Sequence, residues 1–165
     1  VVVPYAAVEL CRRFEGFRAA PYRCPAGIPT IGYGTTHYDN GAPVKLTDPQ
    51  ITPAEASWLL VSELERCSAG VLRLCPAIAD EPAGRLAALA DFSYNLGIGR
   101  LRTSTLREKV NAADWAGATD EFGKWVWAGG RKLAGLVARR AAEAALFAAP
   151  SAGSYAVDQD DRDGQ

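Results

Sequence analysis

The stretch EGFRAAPYRCPAGIPTIGYG, Glu15 to Gly34, contains three prolines and four glycines, and no long helix survives that density of breakers. Short strands joined by turns are expected from Pro21 to Leu46, where Gly41 and Pro43 continue the punctuation and Ile28, Ile31 and Tyr33 supply apolar strand positions. Upstream, Val8, Cys11, Phe14 and Phe17 recur at helical spacing with Glu9, Arg12 and Arg13 on the other face, which predicts a helix from about Tyr5 to Arg18. Downstream, Thr52-Pro53-Ala54-Glu55 carries a capping threonine, a proline at the first helical position and a glutamate three residues past the cap. That helix should run to about Leu74 and stop before Pro76. Further helical stretches are expected near residues 82–95, 104–112, 114–127 and 136–148, parted by Gly97, Gly99 and the Gly129-Gly130 pair. The layout is α+β: a small β-sheet lobe and a larger helical lobe, with a cleft between them as the natural place for a site.

A chain of 165 residues is long enough for one domain with a hydrophobic core and too short for two. No apolar run approaches the roughly 18 residues needed to cross a bilayer, so stable membrane insertion is not expected. Eighteen Lys and Arg against 19 Asp and Glu give a net charge of -1, which offers no general basic face for nucleic acid. Asp158, Asp160, Asp161 and Asp163 crowd the last eight residues, leaving residues 1–150 with 17 positive and 15 negative charges. The segment 150–165 holds too little apolar area to offset its ordering entropy and is expected to be a flexible acidic tail behind a single domain of residues 1–149. A monomer is expected. The opening Val-Val-Val-Pro suits the end of a removed apolar leader, so export is an open expectation.

Glu15 stands where the first helix gives way to the strands, flanked by Phe14 and Phe17. An acid among aromatics can have its pKa raised by desolvation, which lets it donate a proton near neutral pH. A solvated helix residue is the plain alternative. Cys24, His37 and Asp39 offer the parts of a cysteine peptidase or amidase, although Cys24 and His37 lie only thirteen residues apart in one small sheet. Four cysteines at positions 11, 24, 67 and 75 show no zinc-ligand spacing, so no metal site and no cofactor are expected.

Glu15, Cys24 nine residues on, and Thr30 six later, followed by Ile31-Gly32-Tyr33-Gly34, resemble the signature of the phage-type lysozymes, or endolysins, of glycoside hydrolase family 24. Phe92-Ser93-Tyr94-Asn95-Leu96-Gly97, Ser104-Thr105-Leu106, Trp125-Val126-Trp127-Ala128-Gly129-Gly130 and Arg139-Arg140 with Glu143 are similar to its helical lobe, in order. The resemblance covers about residues 5–148 and implies a lysozyme-like fold. It implies bacterial peptidoglycan as substrate, cleaved at the β-1,4 link between N-acetylmuramic acid and N-acetylglucosamine, in the periplasm or at the cell wall. Glu15 is then the general acid, Cys24 and Thr30 hold water on the opposite face of the sugar, and inversion follows. Tyr94, Asn95 and Thr105 match positions that line the glycan groove in the family.

Cys24 departs from the family pattern, which usually places aspartate there. A free thiol is mostly protonated at pH 7, and an anionic Glu15 nearby would disfavour the thiolate further. Cys24 either orients water only, the preferred reading, or becomes the thiolate base in the substrate complex. A non-catalytic wall-binding domain stays open for the same reason. Cys67 and Cys75 lie about 12 Å apart along an ideal helix, too far for a disulfide unless the helix ends between them. Cys11, one turn before Glu15, either packs in the core or bonds Cys24 and blocks the site. Trp115, Trp125 and Trp127 read as core residues of the helical lobe. Arg139 or Arg140 can reach back to Glu15, against a default reading of both as a solvated helix face.

Overall fold

The computed structural model describes residues 2–149, so the expected tail of residues 150–165 lies outside the described residues. Helix α1 (Tyr5–Glu15) leads into the antiparallel strands β1 (Arg18–Arg23) and β2 (Pro29–Gly32). The first helix stops three residues short of the expected Arg18. Gly16 adopts φ +68° and its N–H closes on the Arg12 carbonyl, which leaves Glu15 as the last helical residue and turns the chain into β1. Tyr22 pairs with Thr30 across the hairpin, and an irregularity between Arg18 and Tyr22 bends the strand. Isolated bridges join Ile31 to Thr35 and His37 to Pro43, so the rest of the small lobe is mainly turns.

Helix α2 (Pro53–Leu74) starts with the capping box that the sequence announces: the Thr52 side chain accepts from the Glu55 N–H, and the Glu55 carboxylate accepts from the Thr52 N–H. A single 3₁₀ turn at Pro76–Ile78 follows. The helical lobe then comprises α3 (Ala83–Leu96), α4 (Ile98–Arg102), α5 (Thr105–Asn111), α6 (Trp115–Phe122) and α7 (Ala134–Ala148). The helix expected over residues 114–127 is shorter than that. It ends at Phe122, and Trp127–Ala128 (β3) and Arg131–Lys132 (β4) form a small hairpin around Gly129 and Gly130.

Apolar residues gather in two contiguous clusters. Phe92 of α3 meets Phe122 and Trp125 edge-on, and Phe147 of α7 closes the same core against Phe122 and Trp115. The second cluster packs α1 (Ala7, Val8, Cys11) onto α2 (Leu60, Leu64) and α3 (Ala87, Ala90), so α1 is pinned to the helical lobe while its end meets the sheet. Trp115 and Trp125 pack against the core as expected, but Trp127, carried outward by the hairpin, is exposed.

Candidate active site

The end of α1 places Glu15 at the junction of the two lobes, half-buried. Its Oε1 accepts from Nη1 of Arg139 at 2.5 Å. Arg139 is therefore no solvated surface residue; together with Arg140 it is buried, on the face of α7 that covers α3. Arg139 Nε and Nη2 reach the two oxygens of the buried Asp91 at 2.9 and 2.8 Å, the bidentate geometry in which a guanidinium binds a carboxylate most firmly. Burial is the largest influence and opposes the charge on Asp91, but hydrogen bonds from Arg139 and Glu143, the Arg139 charge and the Cys11 thiol together outweigh it and hold the carboxyl below its ordinary range.

Gly34 faces Glu15 from the small lobe. A side-chain carbon at Gly34 would sit 3.3 Å from Glu15 Oε2 and 3.4 Å from the Tyr94 hydroxyl, on a backbone with φ +103°. The glycine leaves the carboxyl uncovered on its open side. Gly34→Ala is expected to cost about 1–3 kcal/mol through strain at that φ and to lower turnover at least tenfold by crowding Glu15. Urea unfolding and a rate assay on cell walls check both numbers.

Tyr94 donates to the Tyr33 carbonyl at 2.8 Å, bridging α3 to the small lobe beside Gly34. With Gly34, Thr35, Thr36, His37, Leu59 and Glu63 it lines a cleft of about 200 Å³. Asn95 is turned toward Arg140, whose Nη2 donates to Oδ1 at 2.9 Å. Thr105 stands exposed at the first position of α5, apart from the hydrogen-bonded groups around Glu15.

Cys24 opens the β1–β2 turn. Its N–H donates to the Ile28 carbonyl at 3.0 Å and its carbonyl accepts from the Gly27 N–H at 2.7 Å. The turn points backbone N–H groups at the sulfur. The N–H of Ile28 holds the thiol below its ordinary pKa against the opposing effect of burial, with a further contribution from the N–H of Ala26. Thr30 is buried and donates to the Ile28 carbonyl at 2.9 Å, which fixes its hydroxyl under the same turn. Tyr22 lies between acid and thiol: burial, then the negative charges of Glu15 and, less, Cys24 raise its phenol pKa.

All four cysteines are free thiols. Cys11 donates to Asp91 at 2.9 Å and is not bonded to Cys24. Cys67 and Cys75 are separately buried, and burial pushes their thiols up to about 12 and about 11. His37 contacts the Thr36 hydroxyl, while Asp39 accepts from Ser62 and Arg66, so neither forms a relay to Cys24. Sequence reasoning missed Asp91. The available signal was an acid at the position of α3 that continues the apolar spacing of Ala87 and Ala90.

The phage lysozyme family pattern matches residues 12–143. The chain belongs to the phage lysozyme family. It is 37% identical over 130 residues to the SAR-endolysin of Bacteriophage PS119, covering 78% of this chain and 73% of that protein. It is 34% identical over 151 residues to the endolysin of Bacillus phage B103, covering 88% of this lysozyme but only 53% of that longer protein. The solved endolysin from Escherichia coli O157:H7 phage FAHEc1 superposes with a TM-score of 0.77 at 31% identity, over 90% of this chain and 94% of that one. The lysozyme-like α+β fold follows, and the protein is a glycoside hydrolase of the lysozyme class.

Proposed function

We propose that this lysozyme hydrolyses the β-1,4 bond between N-acetylmuramic acid and N-acetylglucosamine in bacterial peptidoglycan with inversion, using Glu15, Cys24 and Thr30. The observation that carries the reading is Glu15 itself: a carboxyl at the lobe junction, gripped from behind by Arg139 and left open in front by Gly34. Glu15 donates its proton to the leaving glycosidic oxygen as the C1–O bond breaks. A water on the opposite face forms the new C1–O bond and gives its proton to the Cys24 thiolate, with the Thr30 hydroxyl orienting it. Hydrogen bonds within the turn hold the Cys24 thiol below its ordinary pKa, which supports a base at this position. Tyr94, Asn95 and Thr105 are assigned to the glycan groove by resemblance to the family, and the place of Tyr94 beside Gly34 supports the first of them. The catalytic unit is residues 1–149, acting as a monomer without cofactor, in the periplasm or at the wall.

Purified protein incubated with peptidoglycan is expected to release reducing ends and no new peptide amines, with the first-formed product of inverted anomeric configuration by NMR. Release of amines without reducing ends would replace the muramidase by an amidase. Cys24→Asp is expected to keep or raise turnover, because a carboxylate is ionised throughout the working range. Cys24→Ala should lose about 10²-fold, at the lower end of what a general base supplies. A folded Cys24→Asp protein that cannot clear cell walls would remove Cys24 from the catalytic set.

A further inference from the structure

Behind Glu15 lies a buried polar cluster that the hydrolysis scheme leaves without a role. Asp91 is fully buried in α3 and binds Arg139 through both of its oxygens, one of which also accepts the Cys11 thiol at 2.9 Å. Only the remaining guanidinium nitrogen, Nη1, reaches Glu15. One cation is therefore shared by two carboxylates, the inner holding it by two bonds and the outer by one. Arginine stays protonated in proteins, so the positive charge that Glu15 meets depends on how far Asp91 neutralises it.

We propose that Asp91 is a positioning residue that both anchors Arg139 against Glu15 and offsets the charge that Arg139 presents to it. The inference rests on the reading of Glu15 as general acid. An opposite charge within a few ångströms favours the ionised carboxylate, and an uncancelled guanidinium at 2.5 Å would strip a general acid of its proton. Asp91 supplies the cancellation and stays ionised because Arg139, then the Glu143 carboxyl and the Cys11 thiol, satisfy it. The other groups facing Glu15 are Cys11 on its own helix, Tyr22 on β1 and Tyr94 on α3. Deeper on α7, Arg140 and Glu143 pair with each other at 2.8 Å, and Arg139 Nε lies 3.8 Å from Glu143.

The test is the pH–rate profile of reducing-end release for wild type, Asp91→Asn and the double variant Asp91→Asn/Arg139→Gln. In Asp91→Asn the cation is no longer cancelled, so the alkaline limb should fall by about one pH unit or more. In the double variant both charges are gone, no lone charge is buried, and the limb should return to within about half a unit of wild type. A limb unmoved in Asp91→Asn, with the rate lowered equally at every pH, would mean a merely structural role and overturn the proposal. Should Asp91→Asn not fold, the double variant decides alone. A limb raised there by about a full unit or more would show that Arg139 acts on Glu15 uncancelled, and would also overturn it. Glu15→Gln, assayed beside them, separates the two layers: if it retains reducing-end release, the general-acid reading itself fails, whatever the other profiles do.

Discussion

Glu15→Gln is expected to abolish lysis of chloroform-treated cells and to cut reducing-end release by about 10²–10⁴-fold, the contribution of a positioned general acid. The substitution is nearly isosteric, and the glutamine carbonyl can still accept the Arg139 bond that Glu15 Oε1 accepts at 2.5 Å. The fold is therefore preserved. What is lost is the dissociable proton: without it the leaving sugar oxygen must depart as an alkoxide. A melting curve matching wild type beside a collapsed rate is the expected pair of results. A folded Glu15→Gln protein that still releases reducing ends at the wild-type rate would move the general acid elsewhere.

Arg139→Leu is expected to be the most destabilising single change near the site, by about 3–5 kcal/mol at pH 7, because breaking a buried pair leaves an uncompensated charge. Asp91 has no exposed surface and depends on Arg139 for two of its hydrogen bonds. Leucine, smaller and uncharged, leaves that carboxylate in the core with no cation, beside the Cys11 thiol and Glu143. The pH dependence carries a sign. In the wild type, Arg139 depresses the Asp91 pKa, so the stability it contributes is present above the unfolded value near 3.8 and is lost as pH falls through the lower folded value. In Arg139→Leu the same carboxyl is buried unpaired, its folded pKa rises, and stability is lost as pH rises instead. The gap between the two proteins, read from urea unfolding, should therefore narrow between pH 7 and pH 4. A constant gap over that range would assign the loss to packing alone.

The parts of the fold legible in the sequence are those governed by local chemistry. Thr52, Pro53 and Glu55 fix the start of α2 among neighbours, so cap and boundary match the structure. The breaker-rich stretch after Glu15 reads as sheet and turns for the same reason. The misjudged boundaries are those where tertiary packing overrides periodicity. Phe17 continues the helical spacing of α1, yet Gly16 turns the chain so that the ring meets Tyr33 of the small lobe. Trp125 lies one helical turn beyond Phe122, yet the chain leaves the helix at Phe122, sending Trp125 to Phe92 and Trp127 outward.

The same division runs through the site. By itself the sequence determined the family, the α+β class and the order Glu15, Cys24, Thr30, because these rest on residue identity and on spacing within one short hairpin. Tertiary structure alone decided what surrounds them. Asp91 and Arg139 are 48 residues apart, and Arg139 and Glu15 are 124 apart, so no local pattern links them. Their meeting depends on α1, α3 and α7 sharing one buried seam. A thiol reads from sequence as a weak base, but the N–H groups of one turn lower its pKa, and an arginine pair reads as a surface face until a buried carboxylate draws one of its members inward.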